Sequence, residues 1–333
     1  SSTPSSGLFN SVKFIVKLLS GFGGGAVMKE VVDGNAIDRE IVAEKAKVVI
    51  IEAIWVTPEK LRELVKLHPD VTFIVRLHSE LPFIASEGTS MAWIAEYAKM
   101  WPNVRIGANS ERMSDDLNKL HKVHIHEVPN WYDMDCGAFK HRDLTPDIID
   151  ISCFGAVRPL KNHLTQAVAA IQFADDKGLK LRFHINASRK EGDKANNILK
   201  NLESLFADHP DHELVAHDWL NHEDFVKMIA AEIDIGMQVS FSETYNIVTA
   251  DHIACEVPIV TSHEIDLGSH WLRAEPTSVS SMVTALKRAV WYKRMGLTWF
   301  DKQRLGSIND EAAEKWMKFV REFEDHHHHR KFR

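Results

Sequence analysis

Two carboxylates in the second half of the chain lie near the predicted start of one helix. Glu243 lies in the polar loop 239–244, and Asp251 stands eight positions later, on a predicted helix that starts near Tyr245. Eight residues are about two helical turns, so both side chains lie on nearly the same face. One carboxylate would accept sugar hydroxyls and the other would bind ribose, while the helix N-terminus would attract a diphosphate. Alternatively, Glu243 is an N-terminal charge cap and Asp251 a solvated helix residue.

A cationic pair follows another predicted strand, 148–154. Arg158 and Lys161 stand three residues apart in the loop after it. Such a pair would neutralise the charge that builds up on a departing diphosphate. The alternative is an exposed loop pair without a ligand.

These residues are placed by a chain that alternates β-branched runs with helical patterns. This alternation is typical of βαβ units and a parallel α/β sheet. The predicted strands are 27–32, 47–51, 72–76, 104–106, 123–126, 148–154, 180–186, 212–215, 234–238 and 258–260. The predicted helices are 37–46, 58–67, 89–100, 111–120, 164–174, 195–207, 223–231, 246–255, 278–295 and 309–325.

The alternation is interrupted once, by a stretch without a clean period that holds Pro, Gly and many polar residues. We therefore predict a first Rossmann-like domain over 1–130, a linker over 131–147 and a second Rossmann-like domain over 148–285. The C-terminal helices and tail, 286–333, are expected to pack back on the first domain. Two doubly wound parallel-sheet domains of this kind would face a shared cleft, because ligands bind at strand C-termini.

The second domain resembles the GT-B retaining glycosyltransferases, especially family 4. Glu243 and Asp251 resemble the family's E-x7-E signature, and residues 255–262 resemble the following G-x-P-V-V-A-S strand. The chain departs from this pattern in three places: the second acid is Asp, the usual Gly is Glu256, and the common Gly-Phe-Gly is Thr-Tyr-Asn at 244–246.

Further segments extend the resemblance. Residues 154–162 resemble the family's G-R-x-x-x-x-K-G loop, although Arg158 and Lys161 are three rather than five apart. Residues 212–225 resemble a strand and loop whose backbone reads the nucleobase, and 129–133 resemble the I-P-N-G-V-D at the end of the first domain.

In the first domain, residues 5–11 resemble the glycine turn that brings backbone close to donor and acceptor, here at Gly7, although no strand precedes it. The later glycine cluster at 21–25 is interpreted as a helix-ending turn. His78 follows the strand 72–76, where the family often has a histidine that contacts the donor sugar; a lone histidine is also often structural. Asn109 ends the next strand and loop and is assigned to the acceptor side.

The resemblance implies a role for each candidate. Glu243 would orient the sugar, Arg158 and Lys161 would stabilise the diphosphate, and His78 would complete the site from the other domain on closure. Trp219 or Leu220 would pack on the base, or Trp219 would be a core residue. The remaining residues assigned to the donor are Gly7, Thr244, Tyr245, Asn246, Ile247 and Asp251.

The function that the resemblance implies is transfer of a sugar from a UDP- or GDP-linked donor, with retention and without a cofactor. The alternatives are an epimerase-like GT-B enzyme and a non-catalytic sugar- or nucleotide-binding protein. The acceptor is a glycan, a small molecule or a modified DNA base. The last follows from a likeness of Trp55 and residues 78–88 to phage-encoded glycosyltransferases, which would place the protein in the host cytoplasm.

Metal independence is expected as well. Asp133 and Asp135 mimic the D-x-D of GT-A glycosyltransferases but fall in the predicted linker, and no H-E-x-x-H spacing occurs. The helix dipole with Arg158 and Lys161 would replace a divalent ion at the diphosphate.

Composition and charge limit which partners and which cellular compartment are expected. The net charge of −7 argues against a global grip on nucleic acid. No apolar run is long enough to span a membrane. Three widely spaced cysteines are typical of reduced thiols in a cytoplasmic protein. The histidine-rich tail 326–333 is set aside as a tag remnant or a native tail.

Overall fold

The chain divides into two units that each enclose one parallel sheet. The computed structural model describes residues 6–137, 139, 141–188 and 194–330, the last seven as backbone only. Ser5 of the glycine turn and the side chains of the histidine tail therefore lie outside the described residues. The first unit comprises Ser1–Trp131 with Asn309–Arg333, and the second comprises Tyr132–Ile308.

The first unit is built on four strands that all run parallel in the order β1-β2-β3-β4. Its elements are α1 (Gly7–Gly21), α2 (Ala36–Glu44), β1 (Val48–Glu52), α3 (Pro58–Leu67), β2 (Thr72–Leu77), α4 (Leu81–Ile84), α5 (Ser90–Lys99), β3 (Val104–Ala108), α6 (Glu111–His121) and β4 (Ile125–Glu127).

Local sequence explains where these helices begin and end. Thr57 caps α3 by accepting the N–H of Lys60, with a proline at the first helical position, and Ser110 caps α6 by accepting the N–H of Met113. The glycine cluster at 21–25 ends α1, as the sequence predicts.

The predicted strand over 27–32 is wrong, because this segment is irregular. A strand inside a parallel sheet is buried on both faces, whereas Val27 and Val32 are exposed. Lys29 instead forms ion pairs with Glu40 and Glu44 of α2, at 3.4 Å and 2.5 Å. This β-branched run is therefore an irregular segment that contacts α2.

Alternate residues of β2 point to opposite faces of the sheet and pack in two different hydrophobic clusters. Phe73 and Val75 join the cluster formed with α3, α5 and α6, while Ile74 joins a second cluster with α1 and the end of the chain. In that second cluster Trp316 is fully buried and its Nε1 donates to the carbonyl of Pro129 at 2.7 Å.

The second unit has five parallel strands in the order β7-β6-β5-β8-β9. Its elements are β5 (Ile148–Ser152), α7 (His163–Lys177), β6 (Lys180–Asn186), α8 (Ala195–Ala207), β7 (Glu213–His217), α9 (His222–Glu232), β8 (Ile235–Gln238), α10 (Ile247–Ala254), β9 (Ile259–Thr261), α11 (Val279–Arg294) and the start of α12 (Thr298–Arg330). From β5 the chain first adds strands on one side and then, at β8, on the other. The topological switch point of this sheet therefore lies between β5 and β8.

The two faces of the second sheet differ in polarity. One face packs aliphatic and aromatic residues against α7, α8 and α11. On the other, buried Asp150 lies 2.7 Å from both Arg182 Nε and His184 Nε2 and also pairs with Arg142. Burial alone would raise the pKa of Asp150, but these partners lower it below its ordinary value.

The segment suggested as a linker is tied into the second unit. Arg142 forms ion pairs with Asp150 and, at 2.6 Å, with Asp234, and the hydroxyl of Tyr132 donates to Asp251. At the C-terminal end, the division between the units falls inside α12, at 308–309 rather than at 286. Among the described residues, no helix is both long and apolar enough to cross a bilayer.

Candidate active site

The loops that follow β5 and β8 flank the switch point and brace each other. Gln238 at the end of β8 donates to the carbonyl of Phe154 at 2.7 Å and accepts from Asn246 at 2.8 Å. The amide of Asn162 donates to the carbonyl of Val239 at 3.0 Å. Residues of both loops are therefore held in fixed positions at the edge where ligands of such sheets bind.

The loop after β5 requires a glycine at its first bend. Gly155 has φ of +118°, a conformation that side-chain-bearing residues rarely adopt. Its N–H donates to Asn186 at 2.9 Å. A Cβ at Gly155 would lie 3.6 Å from Lys161 Cε, so the bend also brings the backbone against that side chain.

A buried ion pair joins the two loops. Lys161 pairs with Glu243, whose side chain is 8% exposed. Burial alone would raise the pKa of Glu243, but the cations of Lys161 and Arg158 lower it below its ordinary value. The structure thus brings three predicted catalytic residues together, two cations and one carboxylate at the switch point. Such a cluster can hold a diphosphate beside a group that accepts hydroxyl protons.

The helix after this cluster begins one residue later than the predicted span 246–255. α10 starts at Ile247, and Asn246 is its N-cap, with φ of +61° and a side chain that accepts the N–H of Thr249 at 2.8 Å. The interpretation of Glu243 as the helix cap is therefore wrong, because Asn246 holds that position. Thr244 and Tyr245 lie between them, half-buried.

The hydroxyl of Tyr245 is buried and has no hydrogen-bond partner among the described residues. Burial, together with the charge of Asp251, raises the pKa of this phenol well above its ordinary value. The group therefore stays protonated and able to donate a hydrogen bond.

Asp251 is a buried structural anchor as well as a donor-site candidate. Its Oδ1 accepts from the Tyr132 hydroxyl and from His222 Nε2, both at 2.7 Å. Burial alone would lower the pKa of His222, but the Asp251 carboxylate raises it to about 10. The alternative of a solvated helix residue is wrong, because Asp251 is 1% exposed.

The residues assigned to the base lie after β7, at the same edge of the sheet. The N–H of Trp219 donates to Ser188 at 2.9 Å, and its side chain is half-buried. Leu220 packs against the cluster around Phe154 and Val226. Both side chains are half-buried, and Leu220 packs against a core cluster.

The first unit has its own polar network at the carboxyl edge of its sheet. Arg76, fully buried on β2, donates to the carbonyl of Val128 at 2.8 Å and to Asn130 at 2.7 Å. Its other nitrogen lies 3.2 Å from Glu52, which also contacts His78. Burial and the Arg76 cation lower the pKa of His78, so this imidazole is neutral near pH 7.

The same network reaches the two other residues predicted in this unit. Asn130 accepts from Asn109 at 3.4 Å and donates to the hydroxyl of Ser11 at 3.1 Å. That hydroxyl in turn donates to the carbonyl of Gly7 at 2.8 Å. Gly7 is the first residue of α1. His78, Asn109 and Gly7 are therefore linked through Arg76 and Asn130.

The structure brings together two groups of possible metal ligands that motif spacing does not show, His124–His126–Glu322 and His184–His217–Glu232. In the first group, burial and the charges of His124 and Arg105 lower the pKa of His126 to about 3, so its imidazole is neutral. In the second, His184 and His217 bond each other at 2.8 Å. Asp133 and Asp135 belong to neither group; Asp133 accepts the N–H of Asp135 at 3.2 Å.

Several residues of these sites were missed in the sequence. Glu52, Arg76 and Asn130 stand at or just after strands of the first sheet, and that position is the signal that could have found them. His163 gave no such signal. It is buried, both ring nitrogens lack a partner among the described residues, and burial with the Lys161 and Arg158 cations lowers its pKa to about 3.

Comparison with solved structures identifies the fold. No protein-family profile and no curated protein sequence matches the chain. A UDP-forming α,α-trehalose-phosphate synthase from Burkholderia xenovorans superposes with a TM-score of 0.65 at 11% identity, covering 86% of this chain and 78% of that one. A sucrose-phosphate synthase from Thermosynechococcus elongatus gives 0.63 at 12%, over 87% and 76%. The E. coli trehalose-6-phosphate protein bound with UDP-2-fluoro glucose gives 0.67 at 11%, also over 87% and 76%.

These structures are glycosyltransferases, and at such identities the likeness concerns architecture. The two parallel-sheet units of this chain therefore have the GT-B fold of nucleotide-sugar-dependent glycosyltransferases.

Proposed function

We propose that the protein is a retaining glycosyltransferase that takes a sugar from a UDP- or GDP-linked donor. The observation that carries the proposal is the Lys161–Glu243 ion pair, with Arg158 beside it, at the switch point of the second sheet. Cations for a diphosphate and a carboxylate for sugar hydroxyls are the groups that such a donor needs, and they meet where ligands of this architecture bind.

In the proposed reaction, the acceptor hydroxyl attacks the anomeric carbon on the face from which the leaving group departs. The bond between that carbon and the phosphate oxygen breaks, and the phosphate takes the acceptor's proton. Arg158 and Lys161 stabilise the negative charge that develops on the diphosphate, and the N-terminus of α10 adds to this field. Glu243 accepts sugar hydroxyls and so orients the ring. Arg158, Lys161 and the N-terminus of α10 provide the positive charge that a divalent ion would otherwise supply.

The other candidates have supporting roles. The Tyr245 hydroxyl has an unsatisfied donor close to the cluster and is assigned to the donor. Trp219 is the residue assigned to the base, because the neighbouring Leu220 packs against the cluster around Phe154. The network of His78, Asn109 and Gly7 in the first unit is assigned to sugar and acceptor binding. Glycans, small molecules and modified DNA bases all stay open as acceptors.

The experiment is a screen of nucleotide sugars by thermal shift, followed by mass spectrometry of released nucleotide and product. Arg158→Ala is expected to lower turnover about 100-fold, as a lost charge-stabilising group costs about 3 kcal/mol. Glu243→Gln is expected to abolish most transfer per folded molecule and to spare binding of the bare nucleoside diphosphate. Glu223→Gln, which removes a carboxylate from an exposed pair with Lys227, is the matched control.

The outcomes separate the candidate functions. Transfer or hydrolysis of the donor supports a transferase, and conversion to an epimeric sugar supports an epimerase. Binding without turnover supports a non-catalytic protein. Full transfer by both Arg158→Ala and Glu243→Gln would contradict the site.

A further inference from the structure

An exposed aromatic surface lies on the second unit and is made of residues that the proposed site does not use. It consists of Trp271, Trp291, Met295, Trp299 and Phe300, each between 47% and 59% exposed. Trp271 and Trp291 stack with ring centroids 5.7 Å apart, and Trp299 meets Phe300 edge-on at 5.1 Å. Clustered side chains of this size rarely remain in water without a partner.

The backbone that carries this surface is a short, hydrogen-bonded connection between α11 and α12. The N–H of Leu297 donates to the carbonyl of Tyr292 at 3.1 Å, and Gly296 takes φ of +68° to close the turn. The Tyr292 hydroxyl donates to Asp301 at 2.9 Å, which fixes the start of α12 to the end of α11. The aromatic surface is therefore presented by a braced turn.

The segment that carries most of this surface is strongly basic. Residues 287–304 hold six lysines and arginines and one aspartate, in a chain whose net charge is −7. Arg288 and Arg294 are exposed, three residues before and after Trp291 on α11. Neighbours at this spacing lie on the same side of a helix. Cationic groups thus flank the exposed rings.

Three of the four remaining basic residues of the segment, all but Lys302, make contacts within the second unit. Lys293 is buried against Asp234, and Lys287 pairs with Asp176 at 2.9 Å. Arg304 donates to the carbonyl oxygens of Gly268 and Asp266. The charge offered to a partner therefore comes from the residues beside the rings.

The combination identifies the chemistry of the partner. Tryptophan and phenylalanine rings settle at the boundary between lipid headgroups and acyl chains, and arginine pairs with lipid phosphates. Each basic residue near an anionic bilayer strengthens binding about fivefold. A second copy of this chain would bring the same cations against each other, so charge complementarity favours lipid over self-association.

We propose that the aromatic surface docks the second unit peripherally onto an anionic lipid bilayer, with the tryptophan rings in the headgroup region and Arg288 and Arg294 on lipid phosphates. This attachment does not depend on the proposed glycosyl transfer.

The test is flotation of the full chain with vesicles of phosphatidylcholine, alone or with about one quarter phosphatidylserine, near physiological salt. The wild type is expected to bind the anionic vesicles at least tenfold more strongly. The double variant Trp299→Ser with Phe300→Ser is expected to lose about tenfold or more in partitioning. Trp55→Ser removes a similarly exposed tryptophan from the first unit and is expected to change nothing.

A second variant tests the electrostatic half of the proposal. Arg288→Glu with Arg294→Glu is expected to abolish the preference for anionic vesicles, and melting curves check that each variant is folded. Equal binding by wild type and both double variants, or no binding by the wild type, would overturn the proposal. Sedimentation velocity adds one outcome that would also overturn it: a wild-type dimer that the aromatic variant dissociates, with no vesicle binding, would assign the surface to a second copy.

Discussion

Replacing His222 by glutamine tests whether Asp251 is anchored by a charged pair. The structure places His222 Nε2 2.7 Å from Asp251 Oδ1, with the His222 side chain 13% exposed. Against the effect of burial, Asp251 raises the pKa of His222 to about 10, from an ordinary value of 6.5. Glutamine keeps a hydrogen-bond donor near Asp251 but cannot carry the proton.

The sign and size of the effect follow from proton linkage. Between pH 6.5 and about 10 the folded protein holds a proton on His222 that the unfolded chain has released. The stabilisation is therefore complete below pH 6.5 and is lost as pH rises, by about 1.4 kcal/mol per pH unit. From pH 7.5 to 9.5 the free energy of unfolding should fall by about 2.7 kcal/mol more in the wild type than in His222→Gln.

The assay is the melting temperature of both proteins across this pH range. About 2.7 kcal/mol corresponds to a differential shift of roughly 5–10 °C for a unit of this size. Cys153 and Cys255, whose pKa values burial raises to about 12, destabilise both proteins equally at high pH and cancel in the difference. Parallel pH profiles for wild type and variant would refute the reasoning.

Three further outcomes are expected. Transfer activity should survive a chelator such as EDTA; complete loss restored by Mn²⁺ or Mg²⁺ would contradict the metal-independent mechanism. Arg76→Met should cost about 3–5 kcal/mol in chemical denaturation, because the half-buried carboxylate of Glu52 loses its cation. Arg39→Met, at an exposed position, should cost almost nothing. Asn246→Ala should cost about 1 kcal/mol or more through the lost cap on Thr249 and the left-handed backbone, and Asn246→Gly less; equal losses would contradict the capping role.

The architecture follows from local patterns, because each strand of a parallel sheet is a short apolar run between helices. The predicted helices over 58–67 and 195–207 match α3 and α8 residue for residue. The false strand over 27–32 shows the limit of this signal. Val27 and Val32 are β-branched but exposed, and only Val31 packs against the core of the first unit. Burial depends on neighbours that a short window does not contain.

The location of the site could be predicted from the sequence, but the contacts between its side chains could not. Arg158, Lys161 and Glu243 could be located because each follows a strand that ends at the same edge. That Lys161 pairs with Glu243, 82 residues away, and that Asp251 is held by Tyr132 and His222, depend on how distant loops meet. Such tertiary contacts have no counterpart in sequence spacing.

The burial of Trp316 in the first unit has a consequence for biosynthesis. Residues 132–308 are continuous, so the second unit can close its core before the residues that follow Ile308 have left the ribosome. The first unit cannot, because Trp316 and Phe319 cover Ile74 and Val128 from the far end of the sequence. The first unit therefore completes its core only after residues beyond 308 have been synthesised, and the apolar surface around Ile74 and Val128 needs protection until then.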